Sequence, residues 1–193
     1  MSFQKLFEFE QALADYTGAP YVVLTDGCTH AIELCMRYER VEFCAFTPFT
    51  YLSIPMLMRN LGIKYVYEVG DPAQWVGEYR FRKTRIWDSA RRLEPGMYRP
   101  GAMQCLSFGW SKPLQLGKAG AILLDNAEAY QVLSRQRSDG RDLHVPWETD
   151  AGLILGYHYC PTLELCERGL ELLPQIEPKS QPGVYPDCRK ILF

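Results

Sequence analysis

The sequence predicts an α/β domain built on a largely parallel sheet, and three observations predict it. Short apolar runs rich in β-branched and aromatic residues alternate with helical patterns along most of the chain, the rhythm that strand–helix–strand units produce. Several of these runs end in polar turns that open the next helix, which is where ligands bind in open parallel sheets. The 193 residues, 47% hydrophobic and 23% charged, suffice for one domain with a sizeable core.

Taken in order, Leu6, Phe7, Phe9, Leu13 and Tyr16 recur at helical spacing and Gly18 supplies a stop, so residues 4–17 read as an amphipathic helix. Tyr21 to Thr25 reads as a short buried strand. It runs through Asp26-Gly-Cys-Thr29 into a helical pattern carried by Ala31, Ile32, Leu34, Cys35 and Tyr38. Phe43 to Phe46 is a strand, followed by Thr47-Pro-Phe-Thr-Tyr51 and a helix ending near Leu61 and Gly62. Further strands are expected at Lys64–Val69, Thr84–Asp88, Ala102–Phe108 and Ala119–Leu124. A helix with Ala129, Val132 and Leu133 then breaks at Ser138-Asp-Gly-Arg141, and the segment to Thr149 is loop-like. Gly156-Tyr-His-Tyr-Cys-Pro161 leads into a helix with Leu163, Cys166, Leu170 and Leu173. Pro174, Pro178, Pro182 and Pro186 then mark a shift in composition. The expected division is a domain over 1–173 and an extended, proline-rich tail over 174–193.

Composition narrows the function. A formal net charge of -2 gives no general polyanion-binding surface, so nucleic acid is not indicated as a partner; Arg80, Arg82, Lys83 and Arg85 form at most a local basic patch. No apolar run reaches the length of a membrane span, and the N-terminus lacks a signal-peptide core. The seven cysteines are odd in number and contain no Cys-x-x-Cys pair. Buried reduced thiols in a cytoplasmic protein are therefore expected, rather than disulfides or zinc ligands.

Chemistry concentrates between Cys105 and Gly120. Lys112 lies between two strand-like runs, with Ser107, Gly109, Ser111, Gly117 and Gly120 around it, so backbone amides can approach a ligand closely. A partly desolvated lysine there can lose its proton and act as an amine nucleophile; taken alone, it reads rather as a surface loop residue. Three strand-to-helix turns add polar groups. Asp26-Gly-Cys-Thr29 offers free amides and the Thr29 hydroxyl to a phosphate, or a plain Asp or Thr helix cap. Tyr51, at a helix start, can stack on a planar ring or pack in the core. Asp88 ends a strand as a helix cap or as the counter-charge of a cationic nitrogen. A phosphate cradle, an aromatic lid, a carboxylate and a lysine are together what pyridoxal phosphate requires.

The order of these motifs resembles the DegT/DnrJ-type sugar aminotransferases, fold-type I pyridoxal-phosphate enzymes, from about Leu6 to Leu173. Phe9 to Gly18 looks like the family's opening helix. Asp26 to Leu34 is similar to its Ser-Gly-Thr-Ala-Ala-Leu phosphate turn, with Cys28 at the glycine and Thr29 at the threonine. Thr47 to Tyr51 resembles its Pro-x-Phe-Thr-aromatic turn, and Trp87-Asp-Ser-Ala-Arg91 falls where it has Glu-Asp-Ala-Ala-Gln. Ser107-Phe-Gly-Trp-Ser-Lys112 matches Ser-Phe-x-x-x-Lys, and Gly156-Tyr-His-Tyr-Cys160 is similar to Gly-Tyr-Asn-Tyr-Arg. The resemblance implies a three-layer α-β-α fold with a mostly parallel mixed sheet, the large domain of such an enzyme. It implies pyridoxal 5'-phosphate as cofactor and Lys112 as the lysine of the internal aldimine, with Asp88 on the pyridine nitrogen. Tyr51 would lie over the ring, Cys28, Thr29 and Ser107 would hold the phosphate, and Arg91 would face the phenolic oxygen. His158 would be presented to the phosphate of a neighbouring subunit, in a homodimer with shared sites.

The implied reaction moves an amino group, expected from glutamate, to a keto-sugar or other carbonyl acceptor, as in nucleotide-sugar biosynthesis. The match departs at Arg91, His158 and Cys160, where the family has glutamine or histidine, asparagine and arginine. The interval from Asp88 to Lys112 is also shorter, so a hairpin there is expected to be trimmed. Most of the family's small C-terminal domain is expected to lack a counterpart here, as in a minimal form or a fragment of a longer or split protein. These departures motivate two alternatives: another reaction on the same cofactor, such as decarboxylation, elimination or modification of a bulky substrate, and a non-catalytic member that binds a partner.

Overall fold

The structure, a computed structural model, describes residues 3–68, 77–180 and 185–191. The first helix, α1 (Gln4–Thr17), turns Leu6, Phe9 and Leu13 inward and ends at the left-handed Gly18, whose N–H bonds Ala14 O at 2.8 Å. Strand β1 (Tyr21–Thr25) follows, then α2 (Cys28–Tyr38), β2 (Phe43–Phe46), α3 (Ser53–Asn60) and β3 (Lys64–Tyr67). After the segment 69–76 come the short strands β4 (Tyr79–Arg80), β5 (Ile86–Asp88) and β6 (Arg92–Leu93). They lead to β7 (Met103–Ser107) and β8 (Gly120–Leu124), and then to α4 (Ala127–Arg137), α5 (Leu163–Leu172) and β9 (Lys179–Ser180). Val69, expected at the end of the third strand, lies outside the described residues.

The main sheet has the order β1-β8-β7-β5-β4. It is mixed: β1, β7 and β5 run one way, whereas β8 and β4 run against them. Parallel β2 and β3 join it where Ala45 bridges Arg82. Alternation along the strands feeds two cores. Val23, Cys105 and Ile122 face α2, α3 and α4, while Val22, Leu24, Leu106 and Leu123 face α1 and α5. Helices on both faces explain why β7 and β8 read as continuous apolar runs rather than alternating ones. The three-layer arrangement expected from the sequence is the one observed.

Two features place the site. Strands β7 and β8 are joined by residues 108–119, so Lys112 sits in the connection of an antiparallel pair, with Gly109 bridged to Gly117. Between β5 and β7 no helix forms, and the chain returns through β6 to a parallel register with Asp88 opposite Cys105. The described end of the chain lies back on the domain. Strand β9 pairs with β6, Asp187 bridges Phe49, and Cys188 is buried.

All seven cysteines are free. The basic residues of 80–85 are engaged: Arg82 with Glu68, Arg85 with Glu39, Arg80 with the Thr84 carbonyl, and Lys83 over the Phe43 ring. Among the described residues, no helix is long and apolar enough to cross a membrane and no side-chain cluster is suited to a metal ion.

Candidate active site

At the carboxyl ends of β1, β5 and β7 the chain leaves a cleft of about 360 Å³, within the usual size of small-molecule sites. It is lined by seven of the eight residues that the resemblance assigns to the cofactor: Cys28, Thr29, Tyr51, Asp88, Arg91, Ser107 and Lys112. They come from four separate stretches of chain, so only folding brings them together.

The turn into α2 is built by close approach. Gly120 on β8 packs against it so tightly that an added Cβ would stand 2.6 Å from Cys28 N and 2.7 Å from Leu106 O. Beside it, Ala119 is held at φ 98° by bonds from its N–H to Asp26 O and from Phe108 N–H to its own carbonyl, both 3.0 Å. The helix-cap readings of this turn do not hold. Gly27 is the N-cap residue and no side chain caps the first turn. Asp26 instead pairs with His30 at 2.6 Å and Lys118 at 3.2 Å, and Thr29 bonds the Ser53 hydroxyl at 2.8 Å. Burial alone would raise the Asp26 carboxyl, but His30 and Lys118 hold it below the ordinary value. The first-turn amides are thereby left without a side-chain cap where Cys28 and Thr29 line the cleft, a ready site for a phosphate.

Asp88 lies deeper, 7% exposed. Its carboxylate accepts bonds from Ala90 N–H and the Tyr79 hydroxyl, each 3.0 Å, and Tyr79 in turn bonds Thr50 at 2.7 Å. Burial pushes the Asp88 carboxyl above its ordinary value, with the Lys112 charge pulling the other way. Burial and the Asp88 charge likewise push the Cys28 thiol well up, so Cys28 is a neutral neighbour rather than a thiolate. Lys112 Nζ donates to the Tyr185 hydroxyl at 2.9 Å. Arg91 lines the cleft beside Tyr185, and its Nε is buried with no hydrogen-bond partner among the described residues.

This donor set fits pyridoxal phosphate. Hydroxyls and an uncapped helix start suit the phosphate, a buried carboxylate suits a protonated ring nitrogen, and Lys112 supplies a primary amine. The unpaired Arg91 Nε is a donor still awaiting an acceptor.

His158 is not part of this cleft. It is exposed and pairs with Asp139 at 3.0 Å. Cys160 lies beside Arg137 in the core facing α1 and α5. Conversely, the cleft contains Ser53, Trp110 and Tyr185, and Tyr79 stands behind Asp88; sequence reasoning did not single these out for the site. Ser53 was accessible to it, being a hydroxyl in the first turn of α3 near Tyr51.

By structure the chain has the fold of pyridoxal-phosphate-dependent aminotransferases. It superposes on AtS13 from Actinomadura melliaura with TM-score 0.74 and 20% identity, covering 90% of this chain and 60% of that one. The sugar aminotransferase CalS13 from Micromonospora echinospora gives 0.72 and 19%, with 89% and 60% covered. A DegT DnrJ EryC1 StrS aminotransferase from Brucella abortus gives 0.68 and 16%, with 89% and 59% covered. The chain thus spans less than two thirds of these proteins' lengths. By sequence, residues 2–76 match the model of the DegT/DnrJ/EryC1/StrS aminotransferase family, which bears out the resemblance read from the motifs over that part of the chain. No curated protein matches the sequence.

Proposed function

We propose that this chain forms a pyridoxal-phosphate-dependent aminotransferase site that moves an amino group from a donor, glutamate by family expectation, to a keto-sugar or other carbonyl acceptor. The observation that carries the reading is the convergence of Lys112, buried Asp88 and the uncapped α2 turn in one cleft. The family match over 2–76 and the fold shared with a sugar aminotransferase support it. When bound, the cofactor supplies an aldehyde that exchanges amines and a ring that takes up the electron pair of the substrate's Cα–H bond.

The chain's own residues do the rest. Thr29, Ser107 and the first-turn amides of α2 hold the phosphate, and Asp88 keeps a proton on the ring nitrogen. Tyr51 covers a face of the ring, and Arg91 donates to the phenolic oxygen. Lys112 Nζ moves the proton to and from the substrate's α-carbon. In a homodimer, His158 and its exposed segment serve the neighbouring subunit's phosphate. The seven free thiols support a cytoplasmic location.

The test is an absorption spectrum of the purified protein with pyridoxal phosphate, before and after borohydride, with mass spectrometry of the Lys112 peptide. A visible band trapped on Lys112, and absent in Lys112→Ala, is the expected result. No band, or trapping on another lysine, overturns the assignment.

A further inference from the structure

We propose that Tyr185 is a positioning residue of this site: its phenol holds the Lys112 amine, and a carbonyl compound must displace the phenol before it can react there. Tyr185 lies beyond every motif that marks the site in the sequence, yet its ring enters the cleft. Lys112 Nζ donates to its hydroxyl at 2.9 Å. The same nitrogen is 5.7 Å from the ring centroid, a distance that places it beyond the hydroxyl rather than over the face of the ring. The contact is therefore a charge-assisted hydrogen bond and not a cation–π pair. A hydrogen bond of this kind fixes the position of the amine and occupies it until the phenol is displaced.

The ring is also held from its other sides. Its edge meets Tyr51 at 6.2 Å and 61°, and the Arg91 guanidinium lies 5.7 Å from its centroid. Tyr185 therefore touches three of the residues assigned to the cofactor. Its placement depends on the anchor that follows it. Asp187 bridges Phe49, Cys188 N–H bonds Pro48 O at 2.9 Å, and the buried Cys188 thiol bonds Thr50 O at 3.4 Å. Residues 48–50 lead directly into Tyr51, so one backbone ladder sets both tyrosines. Loosening the anchor at Cys188 shifts the phenol and the ring-covering aromatic together.

The inference rests on Lys112 being the reactive amine of the proposed function, but its test does not need the cofactor. Brief acylation of the native protein with a water-soluble succinimidyl ester, followed by mass spectrometry, gives the labelling rate of Lys112 relative to the exposed Lys64 and Lys118. In Tyr185→Phe the ring and its packing remain while the hydrogen bond is lost. The expected result is a rise of about tenfold in the Lys112 ratio, the scale of one hydrogen bond to a charged group, and a larger rise in Tyr185→Ala. A purely structural role would raise the labelling of all lysines together and lower the melting temperature; that outcome overturns the proposal. So does an unchanged Lys112 ratio in Tyr185→Phe, including the case in which only Tyr185→Ala responds, since the ring alone would then be the shield. Should Tyr185→Ala fail to fold, the phenylalanine variant decides. If pyridoxal phosphate fails to react with the wild-type protein, the proposed function falls while the labelling ratio still judges Tyr185.

Discussion

Asp88 is a carboxylate whose burial works against its ionised form. A folded-state value raised above the ordinary 3.8 means that the native protein binds this proton more tightly than the unfolded chain does. Stability contributed by Asp88 is then greatest at low pH, falls as pH rises from about 3.8 through the folded value, and stays reduced above it. A protonated ring nitrogen beside the carboxylate would remove that penalty, so the cost is tied to binding. Asp88→Asn separates the two effects. The amide oxygen keeps the Ala90 N–H bond, and the amide N–H can donate to Tyr79, because the Tyr79–Thr50 hydrogen bond can run in either direction. Urea melts at several pH values should show a gain of roughly 0.5–2 kcal/mol at neutral pH and a flatter profile across the window above 3.8. An absorbance titration should show pyridoxal phosphate binding at least about tenfold weaker, the loss of one charge-assisted bond. A variant that is less stable at neutral pH would sink this account.

At the scale of elements, the site depends on how closely the α2 turn and the β7–β8 pair approach. Gly120→Ala places a methyl group against Cys28 N and Leu106 O, both backbone atoms that cannot swing away. A loss of about 1–3 kcal/mol is expected, measured as a lower melting temperature, together with weaker pyridoxal phosphate binding as the helix start retreats from Ser107. Wild-type binding in this variant would mean that the turn is not where the phosphate sits. These elements were legible in the sequence because period and polarity mark them: a helical stripe through Leu6, Phe9 and Leu13, apolar runs at 21–25 and 120–124, and polar residues where strands end. Tyr79 and Tyr185 were not legible for a physical reason. Tyr79 lies on a two-residue strand, too short to show a period, and reaches Asp88 only through antiparallel pairing with β5. Tyr185 sits among prolines that read as a tail; its position comes from contacts with residues 48–50, far away in sequence.

At the scale of the molecule, one buried ion pair ties the layers to the site. Arg137, at the end of α4 and 1% exposed, bonds Glu10 of α1 at 2.5 Å and the Leu24 carbonyl of β1 at 3.0 Å, while Glu10 accepts the Leu24 N–H at 2.8 Å. No local pattern announces a contact between residues 127 apart in sequence. The pair also supports the turn into α2. The Arg137 carbonyl accepts from Tyr159 N–H at 3.0 Å, and the Tyr159 carbonyl accepts from Asp26 N–H at 2.7 Å. Glu10→Leu leaves a guanidinium buried without its counter-charge, which should cost about 3–5 kcal/mol, a large share of a typical domain's stability. Arg137→Met alone strands the carboxylate and should cost a similar amount. Joining it to Glu10→Leu removes both charges and fills the space with apolar atoms, so the double variant should recover most of the loss. Denaturant melts of the two single variants and the double variant form a cycle that measures the coupling directly. Strict additivity would show that the two charges do not depend on each other. Strong coupling with restored stability but weakened pyridoxal phosphate binding would locate the pair's second role, since the substituted side chains keep the core filled while no ion pair holds the end of α4, whose main-chain carbonyl anchors Tyr159 and through it Asp26.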